Sequence, residues 1–120
     1  MSNGLPEPQT KLAEVKRGDS WQGLGLITVK LNDAALDLTG ASVLMQLRKR
    51  PVHGKTIAEW STARGSIEMI DTANGQFKVV GRVMNVPAGS YAWDIEITLA
   101  DGRVITIAQG TWRILQDVSR

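Results

Sequence analysis

The sequence predicts an all-β protein whose antiparallel strands pack in two layers. Apolar residues follow a period of two in several segments, which is typical of half-buried strands. Turn signals separate these segments at fairly regular spacing, and many short strands so arranged are typical of a sandwich or barrel. The chain has 120 residues, which is enough for one domain with a single core.

The clearest strand is "SYAWDIEITL", residues 90–99. Tyr91, Trp93 and Ile95 fall on one face, and Asp94 and Glu96 fall on the other. An Asp-Gly pair follows at 101–102, a dipeptide favoured in short hairpin loops. Residues 91–109 are therefore predicted to form a β-hairpin.

Six further segments show strand patterns. In "SVLMQLRKR", Val43, Met45 and Leu47 share one face, while Leu44 departs from the alternation. The remaining candidates are "GLITVKL", "TIAEWS", "QFKVVGR", "RVITIAQ" and "TWRIL". A brief helical turn is conceivable in "DTANG" or "GRVMNVP".

Composition excludes several kinds of site. The chain has no cysteine, which rules out disulfides, thiolate metal sites and a cysteine nucleophile. The net charge of +2 is small enough for an ordinary solvated surface. The start "MSNGLPEPQTKLAEV" has no apolar signal-peptide region, and no apolar run is long enough to cross a membrane. We therefore expect a soluble chain without export by the general secretory route.

The first residues predict an extended arm. Residues 1–11 are polar and contain Gly4, Pro6 and Pro8, which disfavour a helix. We predict an arm over residues 1–14 and a β-sandwich domain over residues 15–120.

Arg17-Gly18-Asp19 spells a tripeptide that adhesion receptors read in matrix proteins. Receptor use requires an exposed loop tip, whereas Trp21 follows closely here. Glycine and aspartate also suit a bend between two strands. The structural interpretation is preferred.

The run "RKRPVHGK", residues 48–55, concentrates basic side chains that could neutralise phosphates. Nucleic-acid grooves usually add stacking aromatic residues, and this run has none. A solvated hairpin end at a sheet edge is the preferred interpretation.

No catalytic or metal-binding set emerges. Asp94 and Glu96 lie on one strand face, where acids more often pair with neighbouring basic residues such as Arg48 or Arg113 than cleave glycosides. His53 is the single histidine, so neither a serine triad nor a multi-histidine metal site can be assembled. We predict no enzyme activity, no catalytic residue, no metal and no cofactor.

The four tryptophans could form a platform for sugars. Trp93 and Trp112 occupy the inward phase of their strands and are predicted core residues. Trp21 and Trp60 are less constrained by the pattern and would mark an interface if they were exposed.

Five motifs in order resemble a group of small phage and prophage structural proteins: "RGDSW", "LDLTGASVLMQLRKRP", "GSIEMIDTANGQFKV", "PAGSYAWDIEITLADGRVITIAQGTWRI" and "DVSR". The resemblance covers about residues 15–120, and these proteins are similar to the N-terminal domain of phage baseplate upper proteins. It implies an immunoglobulin-like β-sandwich without catalytic activity. It also implies an adaptor or fibre-anchoring role in a tail or baseplate, in a virion assembled in the bacterial cytoplasm.

The combined expectation is an antiparallel immunoglobulin-like β-sandwich of about seven to nine strands that acts as a phage structural protein. Its partners would be other virion proteins and copies of itself, with no membrane and with nucleic acid or small molecules disfavoured. The alternative is a carbohydrate-binding or host-surface recognition module. The candidate interface residues are Leu5, Pro6, Pro8 and Leu12 in the arm, with Trp21 and Trp60 as possible anchors.

Overall fold

A computed structural model of the chain describes residues 14–49 and 55–116. These residues form ten strands and one 3₁₀ turn: β1 (Val15–Lys16), β2 (Ser20–Thr28), β3 (Lys30–Leu31), β4 (Ala34–Ala35), β5 (Ser42–Lys49), β6 (Thr56–Ser61), β7 (Ile67–Asp71), the 3₁₀ turn (Thr72–Asn74), β8 (Gln76–Val83), β9 (Gly89–Thr98) and β10 (Val104–Leu115). The number slightly exceeds the predicted seven to nine because β1, β3 and β4 are only two residues long.

The strands form two sheets and a small ribbon. The first sheet has the order β1-β10-β9-β5-β6, the second has β2-β8-β7, and β3 pairs with β4. All pairs are antiparallel except β1 with β10. This arrangement is an immunoglobulin-like β-sandwich, which confirms the predicted fold class.

A buried tyrosine at the start of β9 fixes a corner of the sandwich. Tyr91 is 4% exposed, and its hydroxyl donates a 2.5 Å hydrogen bond to the carbonyl oxygen of Pro87, four residues upstream. Burial raises the pKa of the Tyr91 hydroxyl, and the charge of Arg17 opposes that rise. The same tyrosine-to-backbone bond occurs at the corresponding corner of immunoglobulin-like domains.

The core lies where the inward faces of the two sheets meet. Predicted inward residues of β9 and β5 are buried, including Trp93, Ile95, Ile97, Met45 and Leu47. The alternation along β9 is thus confirmed. The hairpin is confirmed as well, because β9 pairs antiparallel with β10 through a turn that contains Gly102 at φ +94°.

Three tryptophans from different strands meet in this core. The ring centroids of Trp21 and Trp60 lie 5.4 Å apart, and those of Trp21 and Trp112 lie 4.7 Å apart. The guanidinium carbon of Arg82 lies 5.1 Å from the centre of the Trp60 ring, at cation–π distance. The cluster therefore joins β2 and β8 of the second sheet to β6 and β10 of the first.

The Arg17-Gly18-Asp19 triplet forms the turn between β1 and β2. Gly18 has φ +90°, a conformation that glycine adopts without strain. The Asp19 N–H donates to the Lys16 carbonyl at 3.0 Å, and the Gly18 N–H donates to the Met84 carbonyl at 2.8 Å. These bonds give the triplet the turn function that the sequence favoured.

Candidate functional site

An apolar groove opens at the side of the sandwich, where β2 of the second sheet faces β9 and β10 of the first. Its volume is about 380 Å³, a size that suits a small ligand or one side chain with adjoining backbone. The residues that line it are Leu24, Gly25, Leu26, Ile27, Thr28, Val29, Trp93, Ile95, Ile107 and Ala108.

A β-bulge in β2 shapes one wall of the groove. Leu24 pairs with Val79 and Ile27 pairs with Phe77, so β2 carries one more residue than β8 over this interval. Such a bulge bends the strand and redirects a side chain. Leu26, inside the bulge, is 59% exposed although it is a large aliphatic residue.

A second bulge shapes the opposite wall. Thr106 pairs with Glu96 and Ala108 pairs with Ile95, which leaves Ile107 as the extra residue of β10. Ile107 is buried, whereas Ala108 is half-buried and packs against the core. β2 and β10, which belong to opposite sheets, therefore both depart from regular pairing beside the same opening.

Trp93 lines the groove, and its indole N–H has no hydrogen-bond partner among the described residues. Trp93 is 3% exposed, and its indole Nε1 is buried without an acceptor among the described residues. A buried unsatisfied N–H costs about 1–3 kcal/mol relative to one that is bonded. An acceptor supplied by a ligand in the groove would recover part of this cost.

The close approach of backbones beside the groove requires glycine. Gly23 has φ +86°, and a Cβ there would lie 2.2 Å from the Val79 carbonyl oxygen. A Cβ on Gly81 would lie 2.3 Å from the Trp21 carbonyl oxygen. The "GLGL" stretch at residues 23–26 is the sequence signal for this irregularity, and sequence reasoning did not use it.

The predicted interface tryptophans lie in the core. Trp21 is 7% exposed and Trp60 is 0% exposed, so neither offers a ring to a partner. The prediction that they anchor an interface is corrected, because both rings pack in the tryptophan cluster. Leu5, Pro6, Pro8 and Leu12 lie outside the described residues.

The outer face of the first sheet carries the predicted pairing of acids with bases. Arg48 Nη1 lies 3.1 Å from Asp94 Oδ2, with both side chains largely covered. Arg48 also bonds to Gln46. Asp94 therefore belongs to a cross-strand ion pair, while Arg50 and His53 of the basic run lie outside the described residues.

Two exposed aspartates have pKa values below the ordinary range. Hydrogen bonds from the Thr39 hydroxyl and then the Thr39 N–H lower the pKa of Asp37. The Arg103 backbone N–H has the largest effect in lowering the pKa of Asp101, and the Arg103 side chain adds to it. Both carboxylates stabilise turns, and neither lines the groove.

Two absences hold for residues 14–49 and 55–116. No group of three or more His, Cys, Asp or Glu side chains is placed to hold a metal ion. No helix in this part of the chain is long and apolar enough to cross a membrane.

Neither the protein-family models nor the curated proteins contain a match to this chain. Among solved structures, CopC from Methylosinus trichosporium OB3b matches with a TM-score of 0.47 and 10% sequence identity, over 92% of this chain and 90% of that one. At this level of similarity, the match transfers no ligand or activity.

The function expected from the resemblance, a structural protein of a phage tail or baseplate, is contradicted by these comparisons. The structural match reported above is to CopC, and no family or curated protein connects the chain to phage particles. We therefore correct that prediction. The alternative, a sugar-binding platform of exposed rings, is not supported either, because all four tryptophans are buried.

Proposed function

We propose that this chain is a non-enzymatic β-sandwich module that binds an extended polypeptide segment in the groove between β2 and β10. One observation carries the proposal: an open apolar groove is lined by a buried tryptophan whose N–H has no acceptor among the described residues. Apolar side chains of a bound segment would fill the groove, and a main-chain carbonyl would accept the Trp93 N–H.

The position of the groove supports a polypeptide ligand over a compact small molecule. One wall is β2, the edge strand of its sheet. The other wall is β10, which pairs with β1 only at Ile114 and Leu115, so its edge beside Ala108 is not covered by any strand of the described residues. A sheet edge binds an extended backbone through main-chain hydrogen bonds. The lining is mostly aliphatic and includes no charged side chain. A segment with apolar residues at alternate positions, and with few charges, fits these walls.

The proposal is tested by selecting random linear peptides on the immobilised full chain. Ala108→Glu places a charged side chain inside the groove and should reduce enrichment at least tenfold. The matched control is Val83→Glu, since Val83 is 54% exposed on β8 and does not line the groove. Val83→Glu should preserve the selected peptides, and circular dichroism checks that both variants are folded.

Trp93→Phe tests the contribution of the indole N–H separately from that of the aromatic ring. The variant keeps an aromatic side chain but loses the indole N–H, so the selected peptides should bind about 3 to 10 times more weakly, the equivalent of one hydrogen bond. Equal enrichment on wild type and on Ala108→Glu would show that the groove is not the binding site, and the proposed function would be rejected.

A further inference from the structure

We infer that the segment bound at the groove is β2 of a second copy of this chain, so that two chains pair their β2 strands antiparallel about a two-fold axis at Gly25. This inference rests on the proposed function, because it names the partner of the proposed site. Three features of β2 support it: the absence of charge along the strand, the match between its sequence and the groove, and the charges at its two ends.

β2 differs from the other terminal strands of the two sheets because it carries no charge. It forms one edge of the second sheet and has no strand partner on that side among the described residues. Its nine residues, Ser20–Thr28, include no charged side chain and no proline. The other terminal strands contain Lys16 in β1, Glu59 in β6, and Glu68 and Asp71 in β7. β2 therefore lacks the charges and prolines that keep sheet edges from pairing with other chains.

β2 also has the kind of sequence that the groove favours, namely few charges and apolar residues at alternate positions. Leu24 and Leu26 are two residues apart in β2, and both line the groove. Leu26 is 59% exposed, so apolar surface is left for a partner to cover. With a two-fold axis at Gly25, Leu24 of each copy would lie opposite Leu26 of the other. Each β2 would then lie over the groove of the other chain.

The charges that flank β2 are complementary in this arrangement. Asp19 directly precedes the strand, and Lys30 follows its last residue by two positions. Both side chains are exposed, and neither belongs to an ion pair within residues 14–49 and 55–116. Asp19 lies six residues before Gly25 and Lys30 lies five after it, so antiparallel pairing brings Asp19 of each copy beside Lys30 of the other. Two symmetric ion pairs would result.

The bulge in β2 favours this partner over a regular strand. It lies between Leu24 and Ile27, and a bulge increases the local twist of its strand. A two-fold axis at Gly25 sets the bulge of one copy beside the bulge of the other, so both strands twist equally at the same point. A regular strand lacks this match, and exclusion of poorly matched partners is one source of specificity.

Cysteine cross-linking tests the position of the axis, since the chain has no native cysteine. The side chain introduced by Gly25→Cys would lie opposite its own copy, at a Cα separation of about 4.5–5.5 Å, which a disulfide allows. A Cβ at Gly25 meets no heavy atom within 4 Å, so this variant should fold. The control is Thr28→Cys, also exposed on β2, whose two copies would lie about 20 Å apart. Under mild oxidation, Gly25→Cys should give a cross-linked dimer at least about tenfold faster than Thr28→Cys.

Charge exchange tests the pairing of the two ends. Analytical ultracentrifugation of the full chain is run from about 1 to 500 µM, because two paired strands bury less surface than a standard interface. Asp19→Lys and Lys30→Asp should each raise the dissociation constant of the dimer about 3- to 30-fold, as expected when two exposed ion pairs are lost. The double variant should restore the wild-type constant, and circular dichroism checks that each variant is folded.

Equal cross-linking rates for the two cysteine variants would overturn the inference, as would a double charge variant that dimerises no better than the single ones. A chain that stays monomeric up to about 500 µM would overturn it as well. If that monomer still enriched peptides, and Ala108→Glu reduced the enrichment, the groove would belong to another polypeptide. The proposed function would then stand although the inference had failed.

Discussion

Gly23 and Gly25 lie two residues apart in β2, yet they should respond in opposite ways to substitution by alanine. Gly23 has φ +86°, and its added Cβ would lie 2.2 Å from the Val79 carbonyl oxygen and 2.7 Å from the Gly81 nitrogen. The left-handed conformation costs alanine about 1–2 kcal/mol. Separating two backbones that already pair costs about 1–3 kcal/mol more. We therefore expect Gly23→Ala to lower the free energy of unfolding by about 2–5 kcal/mol.

Gly25 is the matched control because it belongs to the same bulge. No heavy atom lies within 4 Å of its added Cβ, and its φ is not in the left-handed region. Alanine there restricts the unfolded chain without strain in the folded one, so Gly25→Ala should be neutral or stabilising by about 0.4–1 kcal/mol.

Urea unfolding followed by circular dichroism measures both variants. With a slope of about 1–3 kcal/mol per molar urea, Gly23→Ala should unfold at a midpoint about 0.7–5 M lower than wild type. Gly25→Ala should unfold at or slightly above the wild-type midpoint. If Gly23→Ala fell within 0.5 kcal/mol of wild type, roughly the size of an ordinary surface effect, the close approach of β2 and β8 would not constrain this wall of the groove.

Two further predictions concern charged side chains. Hydrogen bonds from Thr39 lower the pKa of Asp37, so the stabilising effect of the Asp37 carboxylate is present above pH 3.8 and is lost as the pH falls through the lowered pKa. Asp37→Asn should therefore make the melting temperature depend less on pH in this range. An unchanged plot of melting temperature against pH would contradict this prediction. A double-mutant cycle on Arg48 and Asp94 should give about 0.3–1 kcal/mol of coupling in urea unfolding, since the two side chains are largely covered but remain 24% and 17% exposed to solvent. A coupling of zero would show that the ion pair does not contribute to stability.

Alternation of apolar and polar residues was sufficient to predict the main strands and their inward faces. The residues assigned inward in β5 and β9 are buried, because a strand that covers one face of a core must place every second side chain there. The Asp-Gly turn and the bend at Gly18 were predictable for a similar reason, since positive φ strongly limits residue choice. A short helical turn conceived in "DTANG" is present as the 3₁₀ turn at Thr72–Asn74.

The environments of Trp21 and Trp60 could not be predicted in this way. Trp21 is the second residue of β2, and Trp60 is the fifth residue of β6, in different sheets. Their burial depends on how one sheet lies over the other, which a one-dimensional pattern does not encode. The groove escaped prediction for a related reason: its walls are two bulges, and a bulge depends on the register between strands that are distant in sequence.

Two buried indole N–H groups, those of Trp60 and Trp93, have no hydrogen-bond partner among the described residues, and they differ in their position relative to the groove. The Trp60 Nε1 belongs to a ring that is fully buried, packed on Trp21 and covered by Arg82. An acceptor could reach the Trp60 N–H only if the core opened. The free-energy cost of burying this N–H without a partner is therefore the same with or without a ligand in the groove. Trp93, in contrast, is one of the residues that line the opening between the sheets, and the proposed function places an acceptor in that opening. Bulges at sheet edges discourage pairing with other strands. In this protein the bulges of β2 and β10 also shape the groove in which the proposed polypeptide segment would bind. The Trp93 N–H would favour a segment with a main-chain carbonyl oxygen next to that donor.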